Sequence, residues 1–169
     1  MNSLFFEEIS QQEVINLCTS LRSGTATGFD NIPISLIKET ITLISSPLAH
    51  IFNLSITSGT VPMELKIARV VPLFKAGDKS TFSNYRPIYF LTSFSKILEK
   101  LVYNRLIDYL SKYKILSDKQ FGFRKLPSTE CALALLYDKI SATIDSNEAT
   151  VGIFIDLSKA FDTVNHQIL

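Results

Sequence analysis

The chain has 169 residues, of which 46% are hydrophobic and 20% charged, and its formal net charge is +1 at pH 7. This length and apolar fraction are enough for one domain with a sizeable core. Its two cysteines are isolated and its two histidines lie far apart, which argues against a zinc site and favours a reducing compartment. No signal-peptide pattern precedes the first helix, so we expect an intracellular protein, in the nucleus or cytoplasm, without membrane contact.

The charge is distributed unevenly along the chain. Residues 1–64 carry two basic and six acidic residues. Residues 65–139 carry fourteen basic and six acidic residues, and residues 140–169 carry one basic and four acidic residues. A basic middle beside an acidic end suits a site that holds phosphates and a divalent metal. A solvated surface with unevenly spread lysines would give the same pattern.

Three helices are predicted between residues 10 and 59. Ser10 and Glu13 form a capping-box pattern at the start of a first helix. A second helix is predicted to begin at Pro33, and a third to restart at Ser46–Pro47 and end at Gly59. The residues expected to face the core are Val14, Leu17, Cys18 and Leu21, then Ile34, Ile37, Ile41 and Ile44, then Ile51, Leu54 and Ser55.

A loop at residues 23–31 separates the first two helices and contains two glycines. Small loops of this kind can approach a phosphate backbone closely, although most are simply turns.

Two strands are predicted at residues 67–74 and 85–91, and we expect them to pair as a hairpin. Pro72 indicates an edge strand or a bulge. The hairpin carries Lys75 and Arg86, which could hold a triphosphate, the arginine through its planar fork. Two exposed charges that discourage edge-to-edge aggregation are an equally consistent interpretation.

Apolar spacing predicts helices at residues 93–111 and from about Ser128 to Asp145. Lys96, Lys100 and Arg105 are expected on the solvated side of the first of these, although a helix flanking a nucleic-acid channel would have the same pattern. The loop between the two helices contains two aromatic residues and Arg124, which could stack on nucleic-acid bases or pin the loop to the core.

Residues 151–156 form a nearly continuous apolar run that ends in Asp156, followed by helical spacing after Ser158. This pattern predicts a buried strand that delivers a carboxylate to its C-terminal end, where ligands and metals collect in open sheets. By itself, however, one aspartate after a strand is more often a helix-capping residue.

Several short segments occur in a characteristic order, and together they resemble the reverse transcriptase of non-LTR (LINE-type) retrotransposons. The resemblance covers nearly the whole chain, and five motifs in order are a strong signal where any one would be weak. The five are residues 68–78, 84–88, 96–106, 120–129 and 154–162, and residues 28–33 and 52–53 also resemble the family's N-terminal extension.

The resemblance implies an α/β (α+β) fold, comprising the fingers and part of the palm of a right-hand polymerase. It would be rich in helices, with a fingers hairpin and one palm strand. Residues 1–66 would form a helical N-terminal extension of the fingers, residues 67–149 the fingers, and residues 150–169 the start of the palm. We expect these segments to form one compact unit.

The resemblance also implies an RNA-directed DNA polymerase, a nucleotidyltransferase that uses two Mg²⁺ ions, template RNA, a DNA primer and dNTPs. Asp156 matches the first metal-binding, catalytic aspartate, and the Leu157 carbonyl can add a ligand. Phe161 matches the aromatic residue that rejects a sugar 2′-hydroxyl. Lys75 and Arg86 match the residues that hold the triphosphate, and Gly28 and Arg124 are candidate nucleic-acid contacts.

The sequence departs from the family pattern at two places. Tyr89-Phe90-Leu91 stands where the family usually has a small polar residue and an aliphatic pair. No Asp–Asp pair occurs, and the family's paired-aspartate motif would lie beyond Leu169. We therefore expect a fragment that is inactive alone. The alternative is a non-catalytic remnant that binds RNA or ribonucleoprotein.

Overall fold

The computed structural model describes residues 7–124, 128–157, 160 and 163–165. They form four α-helices and one two-stranded antiparallel sheet, which confirms the predicted mixed α/β class. The chain divides into two compact units, Met1–Ile115 and Leu116–Leu169, where one unit was predicted. The finer boundaries at 66/67 and 149/150 stay a prediction.

The elements follow one another in a simple order. The first unit contains α1 (Gln11–Ser20), α2 (Ile34–Ser58), β1 (Ala68–Phe74), β2 (Tyr85–Leu91) and α3 (Ser93–Lys112), and the second contains α4 (Thr129–Asp145). The predicted hairpin is confirmed, and so are the helices that begin near residues 93 and 128. None of the described helices is long and apolar enough to cross a membrane.

The core of the first unit lies between α1, α2 and α3, because each presents apolar residues at helical spacing to the others. Burial raises the pKa of the Cys18 thiol, so this core cysteine stays uncharged at neutral pH. The buried apolar residues are Ile9, Val14, Cys18, Ile34, Ile37, Ile41, Ala49, Phe52, Ile97, Leu98 and Leu101.

The prediction that a helix restarts at Ser46–Pro47 is wrong, because α2 runs unbroken through Pro47 to the left-handed Gly59 cap. Its buried stripe continues in phase across the proline, with Ser45 and Ala49 on either side both buried. Packing along this stripe offsets a cost of about 3 kcal/mol for an internal proline.

Because the helix is continuous, the residues after Pro47 that face the core differ from those predicted. Phe52 is fully buried in the described structure, whereas Ile51 and Leu54 are exposed, contrary to prediction. Ser55 is buried as predicted, and its hydroxyl donates to the Ile51 carbonyl at 2.8 Å.

Three hydroxyl residues at the junction of β2 and α3 anchor both ends of the hairpin. Thr92 caps α3, accepting from the Ser95 amide at 3.1 Å. Ser95 Oγ donates to the Leu65 carbonyl, just before β1, at 2.7 Å, and Ser93 Oγ donates to the Ile32 carbonyl at 2.9 Å. All three residues are buried, so these hydrogen bonds satisfy groups that would otherwise be costly to bury.

An ion pair joins α1 to α3. Ser10 caps α1 as predicted, but the Glu13 carboxylate binds Arg105 on α3, with Nη1–Oε1 and Nη2–Oε2 distances of 2.6 and 2.9 Å. The Arg105 side chain is 15% exposed, so its predicted place on a solvated face is wrong. A bidentate pair of this kind fixes the rotation of the two helices as well as their separation.

We expect Arg105→Ala to lower the free energy of unfolding by about 1–3 kcal/mol, since it leaves a half-buried carboxylate without its partner. Lys100→Ala is the matched control, because Lys100 is an exposed cation on the same helix. Chemical denaturation of both variants measures the difference. Equal effects would show that the ion pair does not fasten α1 to α3.

In the second unit, the predicted strand at residues 151–156 is not formed. Residues 151–157 have no regular secondary structure, and Phe154 is 86% exposed. A strand needs a hydrogen-bonded neighbour, and within the described residues only β1 and β2 pair. No described residue of α4 is buried either. Ser158 and Phe161 lie outside the described residues.

Candidate nucleotide-binding site

The register of the hairpin decides which side chains share a face. β1 and β2 pair from Ala68↔Leu91 to Phe74↔Tyr85, and the Lys75 amide donates to the Asn84 carbonyl at 2.8 Å. Hydrogen-bonded and non-hydrogen-bonded pairs alternate in antiparallel sheets. Lys75 and Asn84 are the next pair after Phe74 and Tyr85 and are hydrogen-bonded, so the ladder continues to Lys75.

Alternation of side chains along each strand divides the hairpin into two faces. Ring geometry agrees with this division: the Arg69 guanidinium lies 5.8 Å from the Phe90 centroid, and the Phe74 and Tyr85 centroids are 5.4 Å apart. We call one face the cationic face; it carries Arg69, Val71, Leu73, Lys75, Asn84, Arg86, Ile88 and Phe90. The other is the apolar face, and it carries Ala68, Val70, Pro72, Phe74, Tyr85, Pro87, Tyr89 and Leu91.

Lys75 and Arg86 are neighbours on the cationic face. Arg86 pairs with Leu73, so it is diagonal to Lys75, and such positions lie about 7–8 Å apart. Both residues are exposed, and among the described residues neither side chain forms an ion pair or a hydrogen bond. Two unpaired cations at this spacing can bind neighbouring phosphates of one ligand.

Pro72 and Pro87 protect the edges of the hairpin. They pair with each other at a position without ladder hydrogen bonds, so neither removes a bond between the strands. Their nitrogens point to the two outer edges, where they prevent another strand from pairing at the centre. The two faces, rather than the edges, are therefore the surfaces available for binding.

The loop between the strands is closed by its own hydrogen bonds. Asn84 Nδ2 donates to the Asp78 carbonyl and Tyr85 Oη donates to the Lys79 carbonyl, each at 2.9 Å. The Ser80 amide donates to Asp78 Oδ1 at 2.9 Å, and hydrogen bonds from Ser80 lower the pKa of that carboxyl group. Gly77 has a φ of 92°, which favours glycine.

Gly28 occupies a place where no larger residue fits. A Cβ there would lie 2.6 Å from the Thr92 amide nitrogen and 2.9 Å from the Leu91 carbonyl carbon. Nearby, Lys96 Nζ donates to the Ala26 carbonyl at 2.6 Å. Gly28 therefore lets its loop pack against the start of α3, and its contact with nucleic acid stays a prediction.

We expect Gly28→Ala to destabilise the protein by about 1–3 kcal/mol, because backbone atoms of Leu91 and Thr92 would have to move. Gly122→Ala is the matched control, since a Cβ there meets nothing within 4 Å. Thermal and denaturant unfolding compare the two. A Gly28→Ala variant as stable as the Gly122 variant would contradict the packing role.

The remaining predicted site residues belong to the second unit. Asp156 and Leu157 are exposed, and Arg124 is half-buried, with Nη1 donating to the Ser117 carbonyl at 2.9 Å. This hydrogen bond lies within the loop between α3 and α4, and a contact of Arg124 with nucleic acid stays a prediction. The hairpin belongs to the first unit and these three residues to the second, and Phe161 is outside the described residues.

The described residues do not by themselves form a site for two metal ions. No group of three or more histidine, cysteine, aspartate or glutamate residues in the described ranges could hold a metal. Asp156 alone supplies a carboxylate at the predicted position, and the segment around it is not a strand. No chemical step through a metal therefore follows from these residues.

Sequence reasoning did not assign a role to Asn84, Gly77 or Thr92. The sequence does contain signals of a closed turn. Glycine permits a positive φ, and the aspartate after it and the asparagine just before β2 favour local side-chain hydrogen bonds. Their pairing across the loop depends on the register, which the local pattern does not specify.

Comparison with known proteins identifies the family of the chain. A family model described as reverse transcriptase (RNA-dependent DNA polymerase) matches residues 75–169, and the chain belongs to that family. The match begins at Lys75 and includes Arg86, Arg124 and Asp156.

The chain is also similar to proteins of Drosophila melanogaster retrotransposons, which confirms the resemblance to the non-LTR group. It is 33% identical over 165 residues to a probable RNA-directed DNA polymerase from transposon BS, covering 97% of this chain and 18% of that protein. It is 33% identical over 168 residues to the RNA-directed DNA polymerase from mobile element jockey, with the same coverage. The chain thus spans less than a fifth of the length of these curated relatives.

Proposed function

We propose that this chain supplies the nucleotide-binding fingers of an RNA-directed DNA polymerase, in which Lys75 and Arg86 hold the triphosphate of an incoming dNTP. The observation that carries the proposal is the register of the hairpin, in which these two residues are diagonal neighbours on the cationic face. Membership of the reverse transcriptase family supports the choice of ligand.

The chemistry of the two side chains suits a triphosphate. The guanidinium of Arg86 offers a planar fork for two phosphate oxygens, and the ammonium of Lys75 is a compact charge on a flexible stem. The cationic face holds no acidic residue that would repel the ligand or pair with these cations. Both groups are exposed, so their attraction for phosphate should weaken as salt screens it.

Other parts of the proposal extend the family pattern to this chain. Template RNA and a DNA primer are the proposed partners, with Gly28 and Arg124 as candidate contacts. Asp156 and the Leu157 carbonyl are proposed ligands for Mg²⁺, which in phosphoryl transfer neutralises charge on the phosphates. The proposed segments are an N-terminal extension at 1–66, fingers at 67–149 and the start of the palm at 150–169.

We expect Lys75→Ala and Arg86→Ala each to weaken the binding of dTTP about 10-fold, which corresponds to the loss of about 1.4 kcal/mol of charge-assisted hydrogen bonding. Isothermal titration calorimetry of the 169-residue chain at low salt measures this. Arg69→Ala is the matched control, because Arg69 is on the same face but about 20 Å from Lys75 and about 13 Å from Arg86 along the strands.

The control decides between two functions. If Arg69→Ala weakens dTTP binding as much as Lys75→Ala does, the face is a general polyanion surface. That result would favour the alternative of an RNA-binding remnant, for which an RNA oligonucleotide should bind with an affinity that falls steeply with salt.

We expect the 169-residue chain alone to show no primer extension on an RNA template with dNTPs and Mg²⁺. A second carboxylate cluster is needed for two-ion chemistry, and the sequence has no Asp–Asp pair. Template-dependent synthesis that Asp156→Asn abolishes would contradict this expectation and assign catalysis to the chain itself.

A further inference from the structure

We infer that Asn84 is a positioning residue for the triphosphate site, where it acts through Lys75. The inference rests on the proposed function, because it concerns how the chain holds one of the two phosphate-binding cations. Nothing in the sequence pattern gives Asn84 this role, and its side chain is directed into the loop rather than toward a ligand.

Lys75 lies where the ladder meets the loop. Its amide makes the last hydrogen bond of the ladder, to the Asn84 carbonyl at 2.8 Å, and the residues after it leave the strand. If the hydrogen bond of this terminal pair breaks, Lys75 loses the extended backbone conformation that directs its side chain to the same face as Arg86. Arg86 lies inside β2, so the loss of this hydrogen bond does not displace it.

The Asn84 side chain closes the loop next to this terminal pair. Its Nδ2 donates to the Asp78 carbonyl at 2.9 Å, which joins the two sides of the loop directly beyond Lys75. The amide also fills the space beside Gly77, where an added Cβ would lie 2.7 Å from Nδ2 and 3.2 Å from Cγ. Glycine at a φ of 92° is what permits this contact.

The rest of the loop makes the Asn84 contact more important. The loop has no buried residue to hold it. Its other side-chain hydrogen bonds involve Ser80 and Tyr85, and the Thr81 and Asn84 amides donate to the Asp78 and Thr81 carbonyls at 3.2 and 3.1 Å. Exposed loops held by few contacts open locally at low cost. Removing the Asn84 amide takes away one of the two hydrogen bonds to the Asp78 carbonyl, and it therefore loosens the Gly77–Asp78 side of the loop and the backbone that orients Lys75.

Positioning and simple stabilisation make different predictions. If Asn84 acts through Lys75, its removal should matter only while the Lys75 side chain is present. If it only stabilises the hairpin, its removal should weaken binding to a similar degree whether or not Lys75 is there, since Arg86 would be affected too. A double-mutant cycle separates these cases.

The experiment measures dTTP binding to the 169-residue chain by calorimetry at low salt. Asn84→Ala should weaken binding about 3- to 10-fold in the wild type and in the Arg86→Ala background, and should have no further effect in the Lys75→Ala background. Gly77→Ala should weaken binding in the same backgrounds, because its Cβ would displace the amide and because alanine is strained at a φ of 92°. Thr81→Ala is the control, since its side chain makes no capping bond in the same loop.

Hydrogen exchange of the hydrogen-bonded amides of Lys75, Ser80 and Thr81 gives an independent readout. Asn84→Ala should speed their exchange while amides in α2 and α3 keep their protection, and this shows that the variant is folded. Unchanged exchange in the loop overturns the inference, because the amide would then not hold the loop.

The possible outcomes are distinct. A loss that Asn84→Ala causes equally in the wild-type and Lys75→Ala backgrounds overturns the positioning role. If Asn84→Ala has no effect while Lys75→Ala and Arg86→Ala weaken binding, the inference fails and the proposed function stands. If neither Lys75→Ala nor Arg86→Ala weakens binding, the proposed function fails and the inference fails with it.

Discussion

The buried hydroxyl groups at the junction of β2 and α3 are the constraint on which the first unit depends. Ser95 holds the carbonyl just before β1, Thr92 caps α3, and Ser93 holds the end of the loop that leads into α2. Gly28 is required beside them, because a side chain there would collide with the backbone. Through these contacts the helical core fixes both ends of a hairpin whose own residues are largely exposed.

A hairpin that projects from a core in this way is not held by burial along its length. An isolated two-stranded hairpin is marginally stable in water, so anchors at its base and hydrogen bonds at its tip have to replace a packed face. The pairing of Pro72 with Pro87 adds protection at both edges without breaking the ladder. The cationic face can therefore be exposed to solvent while both edges of the hairpin resist pairing with another strand.

The two units differ in how far their apolar residues are covered. In the first unit the stripes of α1, α2 and α3 meet and are buried, and the Glu13–Arg105 pair joins α1 to α3. In the second unit, Leu133, Tyr137 and the apolar residues at 151–157 remain exposed among the described residues. The strand predicted around Asp156 fails for the same reason, since neither burial nor a paired neighbour compensates for ordering it.

Much of this protein was determined by the sequence alone: the mixed fold class, the hairpin, the helices near residues 93 and 128, and the family. Each depends on local periodicity, capping residues or motif order, which are properties of short segments. Only the tertiary structure decided that α2 continues through Pro47, that Arg105 binds Glu13, and that Asn84 closes the loop at Lys75. These features depend on contacts between residues distant in sequence, or on register, where a shift of one residue moves every side chain to the other face.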